Sequence, residues 1–290
     1  MSKSSPELSI VIPVYNGAEW ILPQLEAVSR SLKQAPHAEI LVVDNRSTDD
    51  SAALVSTWSE STGAPVRVVE AHDTIGEPHA RNVGWQQAAS QSIAYCDADD
   101  VVADSWAGAV AEALRNHSYV TGPIDTQELN PPELADLRGQ SLFDSIPEVY
   151  GLVPYAHGCN MAFSRSVLET LGGFEETFLI GCDIELAIRA WRAEVDLTWD
   201  PGVLVHYRLR SSTRATYRQA RSYGRVRHRL AALVPEADGN GEARSKRLGR
   251  IGWLAKHVPE IREPAGRAKW AWVAGQVVGE VEGYLRPSST

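Results

Sequence analysis

Ser9-Ile10-Val11-Ile12-Pro13-Val14-Tyr15-Asn16-Gly17 decides the fold. Residues 9–14 form a brief run rich in β-branched side chains, and the turn formers that follow close it, so the stretch reads as a buried strand. Residues 39–43, 66–69 and 92–95 read the same way. Between them, residues 18–33, 48–61 and 78–89 carry helical periodicity. The β-α-β-α order predicts an α/β fold with a Rossmann-like, mostly parallel central sheet and flanking helices.

In such sheets ligands lie beyond the carboxyl ends of the strands, where loops converge. Those ends carry Tyr15-Asn16-Gly17, Asp44-Asn45-Arg46-Ser47 and Cys96-Asp97-Ala98-Asp99-Asp100. Three carboxylates within four residues repel one another and lose hydration when buried, so a cation or a strongly polar group is expected beside them. The Asp-x-Asp spacing lets Asp97 and Asp99 reach one hard divalent ion that keeps positions open for substrate phosphates. Each motif alone is also a common turn or helix cap. Their recurrence at successive strand ends makes a nucleotide crevice the better reading. No G-x-G-x-x-G follows a strand and no G-x-x-x-x-G-K-[ST] occurs, which argues against a dinucleotide oxidoreductase and a P-loop enzyme.

The 290 residues are 43% apolar, enough for one large domain or a domain with an appendage. The net charge of −9 hides an asymmetry: residues 201–235 hold eight Arg and no acid, leaving −17 elsewhere. The acidic body is a poor nucleic-acid binder, whereas the basic segment suits a phosphate-bearing partner. Cys96, Cys159 and Cys182 have neither zinc spacing nor a disulfide pattern, and a reducing cytoplasm is the expected location. Pro13 interrupts the early apolar run and no basic leader precedes it, so it reads as a strand and not as a signal peptide.

Asn130-Pro131-Pro132 opens a loop-rich stretch suited to a substrate-binding insertion. Near Asp183 a helix is expected to bury Ile184, Ala187, Ile188 and Trp191. Residues 203–210 alternate as a strand, with His206 sharing a face with Arg208 and Arg210. From Thr213 the pattern is helical to the end, broken by a loop at Asp238-Gly239-Asn240-Gly241. Arg214, Arg218, Arg221, Arg225 and Arg229 fall on one stripe, either a solvated face or a surface for an anionic partner. Residues 267–285, with Trp270, Trp272 and Tyr284, suit a docking or interfacial helix.

The ordered series of motifs resembles family-two glycosyltransferases of the GT-A fold. It comprises the opening stretch, Val42-Val43-Asp44-Asn45-Arg46-Ser47-Thr48-Asp49, Ala80-Arg81-Asn82-Val83-Gly84 and Asp97-Ala98-Asp99-Asp100, and continues through Gly158-Cys159-Asn160-Met161-Ala162-Phe163, Gly172-Gly173-Phe174-Glu175-Glu176 and Asp183-Ile184-Glu185-Leu186-Ala187-Ile188-Arg189. The resemblance implies a GT-A domain over residues 1–210, with a donor half to about 100 and an acceptor half beyond, and a C-terminal helical extension over 211–290. It implies that Pro13, Val14, Tyr15 and Asp44 hold the base and ribose of a nucleotide-sugar donor, with Arg81 and Asp97 beside the nucleotide. Asp97 and Asp99, with His206 nearby, would hold Mn²⁺ or Mg²⁺ against the diphosphate, and Asp183 would be the general base. Asn160 and Trp191 are further candidates for sugar contacts, although Trp191 also fits the core. Two departures stand out. The usual Glu-Asp pair reads Cys182-Asp183, and Thr74 stands where Asn is common; Glu185 is expected to pair with Arg189.

The function expected from this is metal-dependent, inverting transfer of a sugar from a nucleoside-diphosphate sugar, UDP-sugars first among them. The acceptor hydroxyl belongs to a glycan, a lipid-linked or a small-molecule acceptor, in the synthesis of cell-envelope glycan, polysaccharide or glycolipid. Peripheral contact with the inner face of the membrane through the basic and Trp-containing helices accompanies this reading. The rivals are a sugar- or nucleotide-binding module without transfer activity, suggested by Cys182, and a nucleotidyltransferase, which would want a Gly-rich basic loop after the first strand.

Overall fold

The computed structural model describes residues 5–135, 144–238 and 242–285, so residues 239–241 of the expected loop lie outside the described residues. The described residues divide into two compact units. The first runs to Asp125 and resumes at Pro154–Tyr207; the second contains the segment from Thr126, Glu148–Val153 and everything from Arg208.

The first unit opens with β1 (Ser9–Val14), α1 (Ile21–Ser31), β2 (Glu39–Asp44), α2 (Ser51–Thr62), β3 (Val66–Glu70), α3 (Glu77–Gln87) and β4 (Ser92–Tyr95). β1 is buried at every position, because it lies between β2 and β4 with helices on both faces. It pairs in parallel with β2 from Ser9↔Glu39 to Val14↔Asp44, but with β4 only from Ser9↔Ile93 to Val11↔Tyr95. Pro13, which has no N–H to give, therefore sits where the β4 ladder has already ended. α3 lies directly on β1 at Gly84, where a Cβ would come within 2.3 Å of Val11 Cγ1.

Short strands β5 (Val101–Val102), β6 (Tyr119–Thr121) and β7 (Ile124–Asp125) follow, with α4 (Trp106–Ala113) between β5 and β6. α5 (Pro132–Ala135), in the second unit, is a single turn in the expected insertion; along the chain β8 (Glu148–Val149) and β9 (Val153–Pro154) follow as two-residue strands. Then come β10 (Met161–Ser164), α6 (Arg165–Leu171), α7 (Cys182–Arg192), β11 (Leu197–Trp199) and β12 (Val205–His206). The main sheet has the order β11-β6-β10-β4-β1-β2-β3, parallel except at β10, and a second sheet has the order β5-β12-β7. Ile10, Ile12, Ile40 and Val42 pack with Leu25, Val28, Trp106 and Val110 in one core. Beside β4, Tyr119 stacks on Phe163 at 4.3 Å.

Two expectations are corrected here. The alternating run at 203–210 pairs as a strand only at Val205–His206, although Val203, Val205 and Leu209 are buried as the alternation implies. α7 buries Leu186, Ala187, Ile188 and Ala190, whereas Ile184 and Trp191 are partly exposed.

In the second unit α8 (Thr213–Ala232), α9 (Glu242–Lys256) and α10 (Pro264–Leu285) make up the C-terminal helical stretch, with 3₁₀ turns at Pro235–Asp238 and Val258–Arg262. α8 and α10 run parallel, because Gly275 meets Tyr217 and Ala220, Gly279 meets Arg221, and Gly283 meets Arg225. A Cβ at Gly279 would lie 2.1 Å from the Arg221 carbonyl oxygen, so only glycine permits this approach. The arginine stripe is not simply a solvated face. Arg221 and Arg225 both bind Glu282, and Arg227 and Arg250 both bind Glu280 at 2.8 and 2.7 Å. The acids come from α10, too far along the chain for the local sequence to show. Arg214 and Arg218 remain exposed.

Candidate active site

Loops at the carboxyl ends of β1, β2 and β4 build the site. Asn16 and Arg46 take the left-handed conformation, with φ of 52° and 66°, which turns each loop sharply off its strand. The first two loops are sewn together: Asn16 N donates to Ser47 Oγ at 3.0 Å, Gly17 N to Ser51 Oγ at 2.9 Å, and Thr48 N to Asn16 Oδ1 at 2.7 Å. Pro13 is buried and Val14 packs in the core, so of the three candidates on this strand only Tyr15, 65% exposed, offers its side chain to a ligand. Asp44 is buried at the end of β2; His72 Nε2–H donates to its Oδ2 at 2.8 Å and Ser47 N to its Oδ1 at 3.3 Å. No sequence signal marks His72 as the partner of Asp44. Asn45 holds the loop around Thr74, donating to Ala71 O and Thr74 O and accepting from Gly76 N.

Arg81, on α3, is the buried hub. Its Nη2 lies 3.2 Å from Asp97 Oδ1, its Nη1 donates to Cys182 Sγ at 3.2 Å, and Glu77 pairs with it from one turn earlier. The guanidinium also faces the Phe174 ring, 5.7 Å from its centroid. Gly158 leaves room for it, since a Cβ there would come within 2.6 Å of Nη2. In this arrangement Arg81 forks onto protein carboxylates and a sulfur.

Gln24 straps the Asp motif from α1: its Nε2 donates to Asp97 O at 2.9 Å and its Oε1 accepts from Val102 N at 3.1 Å. Gln24 is fully buried, and its role has no sequence signature. The Asp97 carboxyl is pushed above the usual carboxylate range by burial and by Glu77, Asp99 and Asp183, against the opposing pull of Arg81. That crowding of negative charge is what a divalent cation would relieve. Ligand atoms of Asp97, Asp100 and Cys159 lie within 4.8 Å of one another. Burial raises the Cys159 thiol well above its ordinary value, so it stays protonated and is a poor partner for a hard ion. The carboxyl oxygens of Asp97 and Asp100 are hard donors of the kind Mn²⁺ or Mg²⁺ takes, so the residues present fit such an ion.

Asp183 sits in the first turn of α7, not at its cap, which is Gly181 with φ 76°. Its Oδ2 accepts from Gly158 N at 3.0 Å and its Oδ1 from Ile184 N at 2.9 Å. Asp183 acts electrostatically on Asp97, Arg81 and Cys182, so the last motif of the series lies in the neighbourhood of the Arg81 and Asp97 motifs. Burial pushes the Cys182 thiol up to about 12. Glu185 pairs with Arg189 as expected, Nη2 to Oε2 at 2.6 Å. His206 Nδ1 lies 2.9 Å from Asp125 Oδ2, a partner the sequence did not suggest.

Asn160 has no exposed surface to offer a sugar. It is fully buried, accepts from Trp106 Nε1 at 2.9 Å and donates to the carbonyls of Gly122, Pro123 and Val203, tying three loops together.

The family model described as Glycosyl transferase family 2 matches residues 9–172. Teichoic acid poly(glycerol phosphate) polymerase of Staphylococcus epidermidis is 23% identical over 164 residues, 56% of this chain and 22% of that protein. Glycosyltransferase AglE of Haloferax volcanii is 26% identical over 206 residues, 70% of this chain and 67% of that protein. Among solved structures, a mannosyltransferase from Pyrobaculum calidifontis in complex with GDP-Man and Mn²⁺ superimposes with a TM-score of 0.64 at 20% identity, covering 99% of this chain and 89% of the other. The chain thus spans about a fifth of the first relative and two thirds of the second. The fold is GT-A, with a mostly parallel central sheet and C-terminal helices. Among the described residues no helix is long and apolar enough to cross a membrane.

Proposed function

The chain belongs to glycosyl transferase family 2, and from that premise we propose that it moves a sugar, with inversion, from a nucleoside-diphosphate sugar to an acceptor hydroxyl. The observation that carries the reading is Arg81, which joins Asp97 of the metal motif to Cys182, next to Asp183. One buried side chain thereby gathers the groups that would hold the donor and the group that would activate the acceptor.

In this reading Tyr15 and Asp44 contact the base and ribose, Asp44 by accepting from an imide N–H or ribose hydroxyl. Asp97 and Asp99, with His206, would hold Mn²⁺ or Mg²⁺, which would supply positive charge against the diphosphate leaving group. Asp183 takes the proton of the acceptor hydroxyl as its oxygen attacks the anomeric carbon opposite the diphosphate. The bond from that carbon to the diphosphate oxygen breaks, and the electron pair leaves with the nucleoside diphosphate. Gly158 N and Ile184 N, which donate to its two oxygens, hold the Asp183 side chain in place for this task. A UDP-sugar is our first choice of donor; the GDP-Man bound by the structural neighbour makes GDP-sugars the necessary comparison.

The acceptor is read as a phosphate-bearing or lipid-linked glycan, in keeping with the teichoic acid polymerase among the relatives. The exposed Arg214 and Arg218 suit contact with such an acceptor at an anionic membrane surface, at its cytoplasmic face in this reading. The test is release of nucleoside diphosphate from a panel of UDP- and GDP-sugars with Mn²⁺, Mg²⁺ or chelator. No release from any donor with either ion would overturn the proposal.

A further inference from the structure

β12 pairs in parallel with β7, and His206 stands directly opposite Asp125 in that register. Opposed residues of a ladder project to the same face, and here Nδ1 comes within 2.9 Å of Oδ2. Backbone bonds on both sides fix the pair, Val205 N to Pro123 O at 3.1 Å and Tyr207 N to Asp125 O at 2.7 Å. On its other edge β12 pairs with β5, where His206 stands opposite Val101, the residue after Asp100. Ile124 and Tyr207, the neighbours of the pair, pack with Cys159, which is grouped with Asp97 and Asp100. The pair therefore borders the Asp motif through the sheet itself.

A carboxylate only accepts, so the His206 proton on this side is on Nδ1. With Nδ1–H committed to Asp125, the neutral ring keeps its lone pair on Nε2. An imidazole oriented in this way by a carboxylate is the usual form of a metal-binding His. We propose that Asp125 is a positioning residue that holds His206 in the Nδ1–H tautomer and so presents Nε2 to the divalent cation. The proposal rests on the reading of His206 as a metal ligand given above.

The test measures Mn²⁺ alone, by electron paramagnetic resonance of the free ion, on wild-type protein, Asp125→Asn, His206→Ala and the double variant. Long-range ¹H–¹⁵N spectra of His206 at neutral pH accompany it, on wild type and on Asp125→Ala. The expected result is a fall in Mn²⁺ affinity of about 10- to 100-fold for Asp125→Asn. The double variant should bind no more weakly than His206→Ala, and the Nδ1–H tautomer should dominate only in wild type. Wild-type affinity in His206→Ala would overturn the metal reading of His206 itself. Weak binding in His206→Ala beside unchanged binding in Asp125→Asn would overturn the role of Asp125 alone. Additive losses would make Asp125 a direct ligand, and a doubly protonated His206 in metal-free wild type would remove the tautomer argument; either result overturns the proposal.

Discussion

Arg81 Nη2 lies 3.2 Å from Asp97 Oδ1, so the first acid of the Asp-x-Asp motif is ion-paired to a buried guanidinium. The same cation pairs with Glu77 and donates to Cys182, which places one positive charge among Glu77, Asp97 and Asp183. Its electrostatic load makes Arg81 a structural residue as well as a candidate site residue.

Removing that charge should therefore be costly. Arg81→Met leaves the partly exposed Glu77 and Asp97 without their buried partner, and losing a hydrogen bond to a charged group costs about 1.5–3 kcal/mol. Urea unfolding should show a midpoint far below wild type; an unchanged midpoint would show that the carboxylates find neutralisation elsewhere.

Asp99→Asn is nearly isosteric, so the fold should survive while transfer is abolished. In the wild-type protein Mn²⁺ should raise the melting temperature, and in the variant this rise should shrink. Full transfer activity of wild type in excess chelator would contradict the metal assignment.

Asp183→Asn separates binding from chemistry. Nucleotide affinity, measured by calorimetry, should stay within a few fold, while transfer falls by about 10²- to 10⁴-fold, the usual worth of a general base. If Glu185→Gln proves more damaging to transfer at equal stability, the base is misassigned; the pairing of Glu185 with Arg189 argues against that outcome.

The clasp between α8 and α10 gives a pH prediction. Hydrogen bonds from Arg221 and Arg225 hold the Glu282 carboxyl down at about 2. A depressed folded-state value means the stabilisation is complete above the ordinary carboxylate value of about 4.3 and is lost as pH falls towards 2. Wild type should thus unfold at higher urea than Glu282→Gln at pH 7, and the two should converge in acid. Convergence at high salt is also expected, because both ends of the clasp reach solvent.

Gly279→Ala tests the helix seam. The added Cβ meets the Arg221 carbonyl oxygen at 2.1 Å, a backbone atom that cannot swing aside, and overpacking of this kind costs about 1–3 kcal/mol. Gly249→Ala, with nothing within 4 Å of the added carbon, should be neutral or mildly stabilising.

By itself the sequence determined the α/β order, the strands β1 to β4 to within a residue, and the acids at their carboxyl ends. Periodicity, β-branching and turn chemistry act over a few neighbouring residues, and a string of neighbours displays them. It also foretold the Glu185–Arg189 pair, which is one helical turn apart. Only the tertiary structure decided the partners that come from far along the chain. Asp97 and Cys182 converge on Arg81, Asp125 faces His206 across 81 residues, and Glu282 clasps two arginines of the stripe. It likewise made Asn160 a buried tie between loops, Val14 a core residue and β12 a two-residue strand. The reason is physical: which distant groups meet is set by sheet register and helix packing, and no local period records either.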